Sequence, residues 1–151
     1  YRFDVGSNRI GLSLAGQYIR ESTRRVTPLA PAADALNRSF LPVDLKLRGG
    51  IDAALGRLIT AVFVNYVDGY RDTAASAANR RVPSWTTVDL NISYTASTAS
   101  GWWKGTSLAF NVQNLLDRDP PFVTTSTGAS FDPTNANPLG RFVSLNIARQ
   151  W

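Results

Sequence analysis

"LPVDLKLRGGID", residues 41–52, is the stretch whose reading decides the fold. Leu41, Val43, Leu45, Leu47 and Ile51 fall on one parity, and Asp44, Lys46, Arg48 and Asp52 on the other. A period of two is that of a β-strand, whose successive side chains point to opposite faces. The segment therefore reads as a strand with one oily face and one charged face. Wound as a helix, the same residues would mix oil and charge on every side.

The same period recurs on either side of it. Tyr1, Phe3 and Val5 alternate with Arg2 and Asp4, and Ile10, Leu12, Leu14, Gly16 and Tyr18 alternate with Gly11, Ser13, Ala15 and Gln17. Residues 57–72 form a longer strand, in which Phe63 and Val67 join the face opposite Val62, Val64 and Tyr66. "WTTVDLNISYT" (85–95) sets Val88, Leu90, Ile92 and Tyr94 against Asp89, Asn91 and Ser93. "SLAFNVQN" (107–114) sets Leu108, Phe110 and Val112 against Ala109, Asn111 and Gln113. The closing strand carries Val143, Leu145, Ile147, Arg149 and Trp151 on one parity and Ser144, Asn146 and Gln150 on the other. The reading is all-β and antiparallel, with seven strands at 1–5, 9–25, 41–53, 57–72, 85–95, 107–114 and 143–151.

Composition narrows the chemistry. The 151 residues include no Cys, His or Met. Thiol catalysis, Ser-His-Asp triads and the usual zinc sites are thereby excluded within this chain. Asp89 and Asp117 are present, but their spacing builds no acid/base pair, so an enzyme is not expected. The formal net charge is +5, and its arginines are scattered, paired only at Arg24-Arg25 and Arg80-Arg81. No basic run interleaves with stacking aromatics, which speaks against nucleic acid. No cofactor is expected. The longest uncharged apolar run, "LITAVFVNYV" (58–67), is about half the length of a spanning helix. It suffices for a membrane strand, which needs about 9 to 11 residues.

Alternation alone does not choose the solvent, because a soluble sandwich alternates too. Strand length favours a membrane: 9–25, 41–53 and 57–72 exceed the usual soluble strand. Aromatic residues gather near strand ends, at Tyr18, Tyr66, Tyr70, Trp85 and Tyr94, with Trp102 and Trp103 in a turn, as an aromatic girdle at the headgroup level would place them. The wet face repeats Asp44, Lys46, Arg48, Asp52, Asp89, Asn91, Asn111, Gln113 and Asn146, the candidates for residues facing a watery lumen. "RESTRR" (20–25) loses the oily parity, as expected where a strand leaves the bilayer. Connections mostly alternate short and long: "GSN" and "ALG" are short, "TASTASGWWKG" is intermediate, 26–38 and 115–138 are long and rich in Pro, Asn, Ser or Thr, and 73–82 is the other longer loop. That alternation places the C-terminus in the periplasm. Seven strands with lipid on one face cannot close alone, and the chain opens in mid-strand, so the expectation is the C-terminal part of a larger barrel.

"VNYVDGYRDT", "SWTTVDLNISYT", "LAFNVQNLLDRDPP" and "FDPTNANPLGRFVSLNIARQW" together resemble the C-terminal barrel strands of TonB-dependent outer-membrane receptors. "NVQNLLDRDPP" resembles that family's N-x-x-N-L-F-D-[KR] segment, with Leu116 where Phe is common. The resemblance implies an up-and-down transmembrane β-barrel of about 22 strands closed by an N-terminal plug, which would lie outside these residues. It also implies uptake of a scarce ligand energised through the TonB system. An iron chelate such as a ferric siderophore is the default ligand, with cobalamin and oligosaccharides as alternatives. In the same resemblance, Val143, Leu145, Ile147 and Trp151 form a terminal signal read by the barrel-assembly machinery. Residues 115–138 and 73–82 are the candidates for ligand contact.

Two other functions fit the alternation. One is a passive outer-membrane pore or structural barrel, which needs no plug. The other is a soluble extracellular sheet that binds carbohydrate by stacking on Trp102 and Trp103.

Overall fold

A computed structural model of the chain describes residues 1–74, 79–96, 101, 103–125, 128 and 130–150. In chain order the strands are β1 (Arg2–Val5), β2 (Asn8–Tyr18), β3 (Thr23–Arg24), β4 (Ala33–Asp34), β5 (Leu45–Leu55) and β6 (Leu58–Val67). There follow β7 (Tyr70–Asp72), β8 (Arg80–Val82), β9 (Trp85–Thr95), β10 (Thr106–Gln113) and β11 (Phe142–Arg149). Seven of them form one sheet in the order β1-β2-β5-β6-β9-β10-β11, every neighbour antiparallel. Each long strand pairs with the next long strand in the chain, which is an up-and-down meander. The sheet is open, with β1 and β11 at its edges. Among the described residues there is no helix.

Register carries the alternation across the sheet. Leu12 pairs with Ile51, Ile51 with Val62, Val62 with Leu90, Leu90 with Val112 and Val112 with Val143. One residue over, Gly11, Asp52, Ala61, Asn91, Asn111 and Ser144 form the matching row on the other face. A slip of one residue in any strand would turn its aliphatics into the polar row, so the pattern itself fixes the pairing. No second layer covers the apolar face: Leu12, Leu14, Ile51, Val62, Leu145 and Ile147 are all exposed. A contiguous apolar surface of that kind is unfavourable in water and suits a hydrocarbon solvent.

The buried core sits elsewhere. Val43, Tyr70, Val82 and Val123 form the buried hydrophobic cluster, with Val67 packed against it. All but Val67 come from the long connections or from the β7–β8 hairpin, so the loops at one end of the sheet fold on one another. At the other end two of the turns are minimal, while the β9–β10 connection (96–105) is longer. Gly6-Ser7 joins β1 to β2 and Gly56-Arg57 joins β5 to β6, with both glycines at positive φ. A glycine at the first central position of a two-residue turn gives the twist a hairpin needs.

Several strand limits differ from the sequence reading. β5 starts at Leu45, because Pro42 offers no N–H to a ladder and Val43 turns into the loop cluster. Asp44 therefore precedes the strand. β2 stops at Tyr18, and the polar stretch after it makes the short β3–β4 pair. The segment 57–72 is broken at Asp68-Gly69, where the Asp68 carboxylate accepts bonds from the Gly69 N–H (2.7 Å) and the Tyr66 hydroxyl (2.9 Å). Beyond the break β7 leaves the main sheet and pairs with β8.

Candidate functional site

The polar face carries the candidate site, and its upper half is organised around Asp89. Register puts Arg48, Asn65 and Thr87 in one row across β5, β6 and β9, and sets Phe63 opposite Asp89 one row below. The carboxylate of Asp89 accepts from Arg48 Nη1 at 3.1 Å, from Asn65 Nδ2 at 2.9 Å and from the Asn114 backbone N–H at 3.1 Å. Arg48 also donates to Asn65 Oδ1, and its guanidinium lies 4.2 Å from the centroid of the Phe63 ring. Asn65 reaches Thr87 Oγ1 as well. Gly50 makes room for this stack, since a Cβ there would lie 2.5 Å from Phe63. The guanidinium is thus fixed by charge, hydrogen bonds and a ring face at once.

Arg48, Asn65, Trp85, Asp89, Gln113, Asn114, Asn137 and Gly140 line a hollow of about 270 Å³. Three of its lining residues, Asn114, Asn137 and Gly140, belong to the long connection 114–141, which folds back over the polar face. Lys46 Nζ donates to the Thr134 carbonyl at 3.3 Å, holding the same connection one row higher on the sheet. The connection begins with a self-bonded turn. Asn114, at positive φ, donates from Nδ2 to the Arg118 carbonyl and accepts the Arg118 N–H at Oδ1, both at 2.9 Å. Asp117 then accepts the Arg141 N–H at 2.8 Å, and Arg141 Nε donates to the Leu115 carbonyl at 3.0 Å. These bonds tie the start of the connection to its return into β11, and they give the "NLLDR" segment a physical reason for its Asn and Asp.

Above the sheet, two fully buried carboxylates cross-link the loops. Asp72 accepts from the Thr124 N–H (2.8 Å), the Ala74 N–H (3.3 Å) and Arg80 Nη2 (3.0 Å). Asp132 accepts from the Phe40 and Thr134 N–H groups and from Asn135 Nδ2, each at 2.9 Å. Burial works to raise the pKa of Asp72, yet the bonds from Thr124 and Ala74 and the charge of Arg80 outweigh it and hold the carboxyl below its ordinary range. The Tyr70 phenol is pushed well above its ordinary value, first by burial and then by the negative charge of Asp132 beside it.

Of the residues singled out from the sequence, Lys46, Arg48, Asp89, Asn91, Asn111, Gln113 and Asn146 share the polar face. Arg48 and Asp89 meet directly, and Asn91 Nδ2 donates to Asn111 Oδ1 at 3.2 Å. Asp44 stands apart from them, tied through its N–H to Asn37 Oδ1 in the preceding loop. Tyr18 and Tyr94 are exposed on the apolar face, and Trp103 is exposed in the β9–β10 connection. Tyr70 is not part of a girdle: the break at Gly69 turns it inward, where it is 5 % exposed in the loop cluster. Val143, Leu145 and Ile147 lie exposed on the apolar side of β11. Trp102 and Trp151 fall outside the described residues. Sequence reasoning missed Asn65, which hides in an apolar strand between Val64 and Tyr66, and it missed both buried carboxylates. Asp132 carried a usable signal, since Asp-x-Thr-Asn is a side-chain-to-backbone turn pattern.

The family model for "TonB dependent receptor-like, beta-barrel" matches residues 8–115. The chain belongs to the TonB-dependent receptor β-barrel family. That stretch spans β2 through β10 and ends inside the Asn114–Arg118 turn, so β11 lies beyond it. No curated protein and no solved structure matches the chain. The family consists of outer-membrane receptors that transport, and in its barrels the surface facing lipid is apolar. The exposed aliphatic rows described above meet that requirement.

Proposed function

We propose that this chain is barrel wall and outer loop of a TonB-dependent uptake receptor whose ligand is a ferric siderophore or similar iron chelate. The observation that carries the reading is the continuous apolar face in register across the sheet, in a chain of this receptor family, backed by a polar face with a fixed Arg48–Asp89 centre. In this reading the apolar rows contact outer-membrane lipid, and the polar rows line the interior that holds a plug. Further strands beyond β1 and β11 complete the wall, since open edges in hydrocarbon would leave backbone groups unsatisfied. Val143, Leu145 and Ile147 on β11 are the surface offered to the barrel-assembly machinery. The connection 114–141, folded over the polar face, narrows the mouth through which ligand passes. Coupling to TonB belongs to the plug end of the full protein.

The test uses the full-length protein in its outer membrane. Uptake of iron-55 presented as ferric siderophores should require both this protein and an intact TonB system under iron limitation. Uptake that persists without TonB would instead mark a passive pore, and uptake of cobalamin or oligosaccharide alone would replace the ligand.

A further inference from the structure

Three arginines lie side by side in the outer loops. Arg71 on β7 is paired directly with Arg81 on β8, and Arg38 forms an isolated parallel bridge with Arg71. Like charges placed opposite one another on a sheet destabilise it. Some arginines elsewhere are answered by an acid. Arg48 has Asp89, and Arg80 has Asp72 together with the Phe122 ring at 4.6 Å. Here the one acid is Asp34, 3.7 Å from Arg38 with both side chains exposed. Among the described residues, no ion pair or side-chain hydrogen bond engages Arg71 or Arg81. The row lines a groove of about 490 Å³, whose other polar lining includes Asn37, Thr73 and Asn79.

The side on which the row sits follows from the hairpin. Tyr70, Asp72 and Val82 are buried, and they face Val43, Val123 and Thr124. That cluster lies over the polar face of the sheet, because Val67, in register with Lys46 and Trp85, packs against it. Arg71 and Arg81 alternate with these buried residues and so turn the opposite way, toward the side of the apolar face. With Tyr66 taken as the boundary in the outer-membrane reading, the row stands above it. Arg71 follows Tyr66 by five residues, which is at most roughly 16 Å of extended chain. A phospholipid headgroup layer is only about 5 to 8 Å deep, so the groove overlooks the zone that a larger, phosphorylated sugar headgroup occupies.

We propose that the Arg38–Arg71–Arg81 groove binds the phosphate groups of an outer-leaflet glycolipid. The planar guanidinium fork matches phosphate oxygens, and bound phosphate supplies the counter-charge the row lacks. The proposal rests on the outer-membrane reading of the sheet but not on the identity of the transported ligand.

The test measures binding of bisphosphorylated lipid A to the purified full-length protein in neutral detergent, with monophosphorylated lipid A and inorganic pyrophosphate as comparison probes. Bisphosphorylated lipid A should bind tighter than the monophosphorylated form. Arg71→Ala combined with Arg81→Ala should weaken it about tenfold or more, and Arg57→Ala, in the turn at the other end of the sheet, should not. The Lys versions of the pair, which keep charge and lose the fork, should fall between, and heat-modifiable migration reports that each variant is folded. Equal binding by wild type and double variant overturns the proposal. Pyrophosphate binding as tightly as lipid A overturns the lipid source. Iron uptake measured on the same variants separates the two readings: normal uptake with weakened lipid binding supports a site apart from the transport route, whereas lost uptake with unchanged lipid binding overturns the groove's lipid role.

Discussion

Asp89 shows how one side chain can organise a face. Its carboxylate gathers Arg48 and Asn65 from two neighbouring strands and the Asn114 N–H from the start of the long connection. Replacing it by Ala removes an acceptor from all three, although Arg48 keeps Asn65 Oδ1 and Asn65 keeps Thr87 Oγ1. Water reaches Arg48, whose side chain is 46 % exposed, and compensates part of the loss. Asp89→Ala is therefore expected to destabilise the full-length barrel by about 1 to 2 kcal/mol. Asp89→Asn, which keeps an acceptor, should cost less. Urea unfolding of the refolded barrel in lipid vesicles measures both, and equal stability of wild type and Asp89→Ala would show the network to be incidental. Neighbouring residues on β11 test the two faces in the same assay. Leu145→Arg on the apolar face should cost about 2 to 4 kcal/mol near mid-bilayer, and Asn146→Arg should be milder. Equal tolerance at the two positions would contradict the assignment of faces.

At the scale of elements, the sheet was legible in the sequence and the loop cap was not. Period two is a local property of each strand, so Leu12, Ile51, Val62 and Leu90 declared their common face before any pairing was known. Strand ends were less legible, because what stops β5 at Leu45 and breaks the chain at Gly69 is a contact with distant residues. Val43 reads as one more oily strand residue until Val123, eighty positions away, is brought against it. Of the site, the polar wall residues were readable by parity. The Asp72 and Asp132 cross-links were not, since each depends on backbone N–H groups of another loop. The cap they hold has a definite pH dependence. The pKa of Asp72 is lower folded than unfolded, so its contribution is fully present above the unfolded value of about 3.9 and is lost as pH falls through the lower folded value. Tyr70 has the opposite sense: its pKa is raised, so its contribution holds below about 10 and is lost as pH rises toward the folded value. Amide exchange or limited proteolysis of residues 38–44 and 120–136 should show a closed cap from about pH 5 to 9. Loosening is expected below pH 4 and above pH 10, with the acid limb moved upward by Arg80→Ala. A cap equally protected across that range would contradict the role given to the two groups.

The whole molecule is a sheet whose apolar face has no covering layer and, at one end of it, a loop cap with its own buried cluster and two short strand pairs. Those two facts belong together if the solvent changes along the strands, with hydrocarbon beside the rows of Leu12 and Leu145 and water around the cap. The central claim is that the apolar face meets lipid and the polar face meets a watery interior. It is tested most directly by spin labels placed singly on adjacent residues of the full-length receptor in outer-membrane lipid, at Val62 and Leu90 on one face and at Ala61 and Asn91 on the other. The account predicts that labels at 62 and 90 collide preferentially with oxygen, and those at 61 and 91 preferentially with a water-soluble nickel chelate. Equal accessibility at all four positions, or the reverse order, would contradict it.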